Sequence, residues 1–406
     1  MDHDLSGSAL LDLLIGDPGP EADWQLATYD KLPLTIVRGE GARVWDDRGR
    51  VYWDFYGGHA VALLGHAHPT WNAVVAAQAE RLVFYSNVVH STLRAAACRA
   101  IVEFAPANLT RVFLSNSGAE ANEVALKLAR HHTERSDVVA FEGGFHGRTL
   151  GALAITWAEK YRHYALPEYG HTRFVPWGEV PRLDHQVAAV ILEPIQSLAG
   201  MRTATPAFLA GLRAECDRVG ALLILDEVQT AWGRLGANFA ADLYDVRADL
   251  ITSAKSAANG FPVGVTLVDD AIAQRVKPGD HGSTFGAGPL ACAAILATHH
   301  VIRTESLVAN AARLGRLAKE VLPVPVRGHG CLLGLVFDQP VRPIVAALRE
   351  QGFIVGGSDD ACVIRLMPPL SLPDEAIHAL GDALRANGFV APSISERRDP
   401  PLPGSP

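Results

Sequence analysis

The chain has 406 residues, 49% of them hydrophobic, with 36 Lys and Arg against 44 Asp and Glu for a formal net charge of -8. That length admits one large or two moderate domains around a sizeable core. The acidic balance, with no long basic run, argues against nucleic acid as the main partner and gives no reason to expect a membrane surface.

The N-terminal stretch "MDHDLSGSALLDLLIGDPGP" is acidic where a signal peptide would be basic, and it closes on the turn signal "GDPGP". Next, "ARVWDDRGRVYWDF" predicts a β-hairpin turning at Asp47-Arg48-Gly49. From about residue 70, "PTWNAVVAAQAERL" and "EANEVALKLARHH" carry helical periodicity. Apolar strand-like runs then recur at 137–141, 187–193, 221–226, 249–254 and 263–268, with a helical segment at 207–220 between two of them. Near-continuous apolar strands alternating with helices predict a mainly parallel sheet covered on both faces.

Beyond "FGAGPLACAAILATHHVI" the pattern changes to helix-then-strands, with strand-like runs at 331–337 and 361–367 and a final amphipathic helix at 373–388. The expected organisation is an α/β fold in four parts. Residues 1–60 form an N-terminal segment with the hairpin, packing with the small domain; 61–290 form the large domain; 291–392 form a small α+β domain; 393–406 form a Pro- and charge-rich tail expected to be disordered. Five scattered cysteines (Cys98, Cys216, Cys292, Cys331, Cys362), without a CxxC, fit a reducing compartment. No apolar run approaches a membrane span, so the expected location is the cytoplasm.

Four motifs carry chemistry, and each has a plainer alternative. "LILDEVQ" places Asp226 at the carboxyl end of an apolar strand, where open α/β sheets bind ligands; it is either a helix N-cap or the group that holds a proton on a ligand heteroatom. "ITSAKSAANG" places Lys255 just past another apolar run; it is either a stem packed on apolar surface or a nucleophile whose pKa is lowered by desolvation. "SNSGAEAN" opens a helix with small residues, either as a capping box using Ser117 or Ser115 with Glu120, or as a phosphate cradle. "EGGFHGRTLGA" brings Phe145, His146 and Arg148 on a glycine-rich turn; its aromatic either fills the core or stacks on a planar ring. A second small-residue turn, "HGSTFGAGPLA", offers Thr284 as a phosphate donor. The pair His66 and His68 has no evident third ligand, so no metal is expected. Taken together, an acid and a lysine at strand ends, phosphate-ready helix starts and a stacking aromatic fit one cofactor, pyridoxal 5'-phosphate.

The runs "SNSGAEANEVALKLAR", "FEGGFHGRTLGALA", "ILEPIQS", "LLILDEVQTAWGRLG", "DLITSAKSAANGFPVG", "HGSTFGAGPLACAA" and "IRLMPPL" follow one another in family order over roughly residues 35–390. In these the chain resembles the class III aminotransferases of the pyridoxal-phosphate fold-type I superfamily, with the acetylornithine and ornithine branch nearest. The resemblance implies a large domain with a mostly parallel seven-stranded sheet between helices, plus a smaller α+β domain. It implies that Lys255 binds the cofactor covalently and moves protons, and that Asp226 pairs with the pyridine nitrogen. Val228 and Phe145 would bracket the ring, and Gln229 would meet the phenolic oxygen. Ser117, Gly118 and Ala119 would hold the phosphate, with His146 and Glu193 supporting the site.

By the same resemblance Thr284 would reach the phosphate of a neighbouring subunit, making a homodimer with shared active sites. Arg365 would grip the α-carboxylate of glutamate or 2-oxoglutarate, and Arg148 the far carboxylate of an ω-amine, with His59 and Tyr85 as further substrate contacts. The implied reaction moves an amino group between an ω-amine of a diamino acid, N-acylated or free, and a 2-oxo acid by a ping-pong route. Alternatives are a class III aminotransferase acting on a carrier-protein-bound or specialised amine or aldehyde, with an amino-group carrier protein as partner, or an aminomutase. Two departures stand out: "EPIQSLAG" has Leu198 where the family carries a glutamate that masks the arginine, and His59 replaces a substrate-contacting tyrosine of the ornithine enzymes. Arg365 is therefore expected to be permanently unpaired.

Overall fold

The structure, a computed structural model, describes residues 6–15, 19–164 and 171–390; most of the "GDPGP" turn and the tail 393–406 lie outside the described residues. In chain order the strands are β1 Ile36–Glu40, β2 Arg43–Asp46, β3 Val51–Asp54, β4 Leu109–Ser115, β5 Asp137–Phe141, β6 Thr172–Val175, β7 Val187–Leu192, β8 Ile195–Gln196, β9 Arg202–Thr203, β10 Leu222–Asp226, β11 Leu250–Ser253, β12 Gly264–Asp269, β13 Val326–His329, β14 Leu332–Val336, β15 Phe353–Ile354 and β16 Val363–Leu366. Seven of them form the central sheet in the order β4-β12-β11-β10-β7-β5-β6. All neighbours in it run parallel except around β12, which is antiparallel to both β11 and β4.

The middle strands β7 and β10 are buried at every position, as a strand covered on both faces requires. Alternate residues serve opposite cores. Leu222 and Ile224 pack with Val124, Ala125 and Leu128 of the helix Gly118–Thr133, whereas Leu223 and Leu225 join the larger core with Leu209 and Leu212 of the helix Pro206–Val219. The sequence reading found five of these seven strands. It missed β4, where Thr110 and an exposed Arg111 interrupt the apolar run, and the edge strand β6, none of whose residues is buried.

The hairpin forms at its expected place, with β2 and β3 antiparallel. Asp46 organises the turn: its Oδ1 accepts the Arg48 and Arg50 amides, and its Oδ2 accepts the Tyr52 hydroxyl at 2.8 Å. β3 then pairs in parallel with β15, so the N-terminal hairpin joins strands from the last quarter of the chain. There β13, β14 and β16 make a three-stranded antiparallel sheet, accompanied by the helices Leu307–Val321, Arg342–Glu350 and Asp374–Ala386. Among the described residues no helix is long and apolar enough to cross a membrane.

Candidate active site

Strands β4, β5, β10 and β11 end at one edge of the central sheet, and the residues that follow them enclose a cavity of about 370 Å³. Ligands bind at such carboxyl edges because the loops that diverge there leave a crevice. Ser117, Gly118, Ala119, Phe145, His146, Glu193, Asp226, Val228, Gln229 and Lys255 all line this cavity. Residues from five separate stretches of sequence thus meet in one place.

Asp226 ends β10 and is buried. Its Oδ2 accepts a hydrogen bond from His146 Nδ1 at 2.7 Å and another from Asn122 Nδ2 at 2.8 Å, and its Oδ1 accepts the Val228 amide at 3.1 Å. Asn122 Oδ1 accepts the Thr252 hydroxyl at 2.6 Å, which fixes the amide's orientation. Sequence reasoning missed Asn122 and Thr252 as parts of the site. A signal was there: Asn122 is four residues after Gly118, hence on the same face of the helix.

His146 is buried; burial opposes its proton, but the hydrogen bond and charge of Asp226, then the charge of Glu193, outweigh it and hold its pKa above the usual value. Glu193 Oε1 accepts the Phe145 amide at 2.9 Å. Its pKa is pushed up to about 7 by burial first, with the charge of Asp226 adding and that of His146 opposing.

Lys255 follows β11 with φ 34°, in the left-handed region that a side chain with a β-carbon rarely occupies. Such strain persists where the surrounding structure over-determines the backbone, here between buried Ala254 and Ser256. Its half-buried side chain opens into the cavity. Desolvation is the main cause that lowers its pKa; Asp226 and Glu193 oppose, and Arg365 adds to the lowering. A lysine among small and apolar neighbours is therefore a poor ammonium and a good nucleophile.

The helix Gly118–Thr133 opens on the cavity with Ser117 as its N-cap, its Oγ accepting the Glu120 amide at 3.2 Å. Glu120 Oε2 accepts the Asn116 amide at 2.5 Å, one residue earlier than in the usual capping box. The first-turn amides of Gly118 and Ala119 have no partner within the helix, which suits an anion. A β-carbon at Gly118 would lie 2.9 Å from a Val228 methyl, so only glycine lets Val228 close over this helix start. Gln229 Oε1 is buried with no hydrogen-bond partner in the protein. A small cradle backed by a buried acid, an unpartnered amide oxygen and a desolvated lysine fits pyridoxal phosphate.

The residues expected to meet substrate are more dispersed, and none of them lines this cavity. Arg365, on β16, is buried, and it is not unpaired: Nη1 donates to Ser197 Oγ at 3.2 Å and Nε donates to the Gly357 carbonyl. The expectation of an unpaired guanidinium fails because Ser197, beside Leu198, brings a hydroxyl to it. Both acceptors are neutral, so its charge still lacks a hydrogen-bonded carboxylate. Burial lowers its pKa, opposed by Tyr56 and then Asp359.

Arg148 is exposed, its guanidinium 4.8 Å from the ring centre of Tyr161 and 6.0 Å from that of Tyr29. The His59 ring lies 4.7 Å from that of Tyr56, tilted by 53°; desolvation first, then Arg365, Lys255 and Arg148, push its pKa down to about 4. Tyr85 and Thr284 are both exposed. Beside Thr284, Ser283 Oγ accepts from Asn116 Nδ2 at 3.3 Å, so this loop touches the cavity wall. His66 and His68 bond different acids, Asp54 at 2.8 Å and Glu305 at 3.0 Å.

Comparison with known proteins agrees with this geometry. The family model described as Aminotransferase class-III matches residues 25–386. The acetylornithine aminotransferase of Methanopyrus kandleri is 42% identical over 383 residues, covering 90% of this chain and 98% of that protein. An ornithine aminotransferase structure from Toxoplasma gondii, reported with partial occupancy of PLP at its active site, superposes with a TM-score of 0.83 at 30% identity, covering 93% of each chain. An acetylornithine aminotransferase structure from Elizabethkingia anophelis gives a TM-score of 0.78 at 29% identity, covering 90% of this chain and 97% of that one.

Proposed function

The chain belongs to the class III aminotransferases, and we propose that it uses pyridoxal 5'-phosphate to move an amino group between the ω-amine of an N-acylated diamino acid, such as acetylornithine, and a 2-oxo acid such as 2-oxoglutarate. The observation that carries this reading is the meeting of a desolvated Lys255 with the buried Asp226 in one cavity. The bound cofactor supplies an electron sink for the carbanion left when a substrate carbon loses its proton.

In this reading the protein's own groups do the rest. Asp226, its carboxylate fixed by His146, Asn122 and the Val228 amide, holds a proton at the ring nitrogen. Lys255, whose ammonium form is disfavoured by desolvation, would hold the cofactor covalently and serve as the group that takes up and returns the substrate proton. Phe145 and Val228 would bracket the ring, Ser117, Gly118 and Ala119 would hold the phosphate, and Gln229 would meet the phenolic oxygen, all from the wall of the cavity. Arg365 forks onto the α-carboxylate of the oxo acid, and Arg148 takes the carboxylate of the ω-amine. The two substrates then use one pocket in turn.

The assembly proposed is a homodimer. Tyr85 and Thr284 stand outside their own chain's cavity, and the exposed apolar residues Val83, Val88, Val89 and Phe285 lie close to them in sequence. A second copy would cover that surface and bring Thr284 to the neighbouring phosphate site.

The test is the absorption spectrum of the purified protein, titrated with glutamate, acetylornithine, ornithine, 4-aminobutyrate and diaminobutyrate without any oxo acid. The expected result is a visible band from lysine-bound cofactor that acetylornithine discharges and 2-oxoglutarate restores. A protein that forms no such band with added pyridoxal phosphate overturns the cofactor assignment. A band that neither acetylornithine nor glutamate discharges overturns the substrate assignment.

A further inference from the structure

A second cavity, of about 330 Å³, opens beside the first and shares Phe145 with it. Its walls are mostly apolar: Phe145, Trp157, Tyr161, Leu198 and Ala199. Tyr161 is the partition between this cavity and Arg148, with its ring edge-on to Phe145 at 5.4 Å and under the Arg148 guanidinium at 4.8 Å. The four ionic side chains of the lining cancel, Lys160 and Arg162 against Glu159 and Asp359. Lys160 Nζ donates to Asp359 Oδ1 at 2.6 Å, whereas Arg162 lies 5.0 Å from the ring centre of Phe174 and 5.9 Å from that of Trp157, with its Nε buried and without a hydrogen-bond partner.

We propose that this cavity is the subsite for the acyl group of the amine substrate, and that it takes an apolar acyl chain or ring well beyond acetyl in size. The proposal rests on the reading of the substrate as an N-acylated diamino acid. In such a molecule the α-carbon bears both the carboxylate and the acyl amide. With the carboxylate on Arg148 and the ω-amine directed at Lys255, the acyl group leaves the α-carbon beside Tyr161, at the mouth of this cavity. The volume is close to that of the cavity assigned to the whole cofactor. A three-atom acetyl group would leave most of the wall without contacts, whereas a longer apolar chain would gain both dispersion and burial. Leu198, half-buried, adds an apolar side chain to this wall.

Nα-Acetylnorvaline and Nα-hexanoylnorvaline keep the carboxylate and the acyl amide but lack the ω-amine, so they bind without reacting. Calorimetry on the full chain loaded with cofactor should give a Kd about tenfold lower for the hexanoyl compound. Leu198→Trp, which fills the cavity, should reduce that preference to about twofold or less, and Ala158→Leu is the second variant should the first not fold. Equal or weaker binding of the hexanoyl compound by the unaltered chain overturns the proposal, as does a preference that survives in both filled variants. The matching Nα-acylornithines separate this result from the reaction assigned above. If none of them discharges the cofactor band while the norvaline preference persists, the reaction assignment falls and the subsite stands.

Discussion

Asp226 and Arg148 are held in opposite ways. Asp226 is buried, and both carboxylate oxygens are fixed by donors from three different segments, His146, Asn122 and Val228. Arg148 is exposed and rests on the ring faces of Tyr161 and Tyr29. Arg365 lies between these extremes, buried but held only by neutral acceptors. A group that serves every turnover in the same way gains from rigid preorganisation. A group that must release one substrate and accept another gains from contacts that are easily exchanged.

The comparison breaks most sharply at Lys255. Lys255→Ala should cut turnover by about 10⁴-fold or more, the upper range for removing a group that carries protons in the transition state. Borohydride reduction followed by mass spectrometry should then find no cofactor attached to the chain. Normal turnover in that variant would remove lysine from the mechanism.

The rigid side should also be sensitive to pH through Glu227, next to Asp226. Burial pushes its pKa up to about 7 from the usual 4.5, opposed by hydrogen bonds from the Ala240 and Ala241 amides and the Thr230 hydroxyl. With the folded pKa above the unfolded one, the protonated carboxyl stabilises the fold fully below pH 4.5, and that stability is lost as pH rises through about 7. The loss amounts to at most about 3 kcal/mol. Glu227→Gln should flatten the urea midpoint between about pH 5 and about pH 8; an unchanged pH profile would show that the carboxyl does not titrate there.

On the exchangeable side, Arg365→Ala should raise KM for 2-oxoglutarate by about a hundredfold while the visible cofactor band stays unchanged. A loss of cofactor instead would place Arg365 with the rigid group. The smallest expected effect tests the edge of that group. Asn122→Ala removes one of the donors to Asp226 and leaves the buried Thr252 hydroxyl without its acceptor. Cofactor affinity should fall about tenfold, measured by equilibrium dialysis, and unaltered affinity would make Asn122 a packing residue only.

Much of the rigid side is readable from sequence because its signals are local. A strand ending in acid, a helix opening on Ser-Gly-Ala and a lysine closing an apolar run each announce themselves within a few residues. Ser117, Gly118, Ala119, Phe145, His146, Glu193, Asp226, Val228, Gln229 and Lys255 were all named and all line the cavity. Asn122 was quoted within a motif but given no role, because its partners Asp226 and Thr252 are 104 and 130 residues away. β4 and β6 were missed because polar residues and partial exposure erase the apolar run on which a strand prediction rests.

By itself, then, the amino-acid order determined the alternation of strands and helices, the strand ends that carry chemistry, and the family resemblance those motifs express. Tertiary structure alone decided that Ser197 reaches Arg365, that β3 pairs with β15, and that Trp157, Tyr161 and Leu198 wall a second cavity. The physical reason is that periodicity and capping are set by neighbours in the chain. The partner of a buried guanidinium, and the space left between distant side chains, are set only when the segments pack.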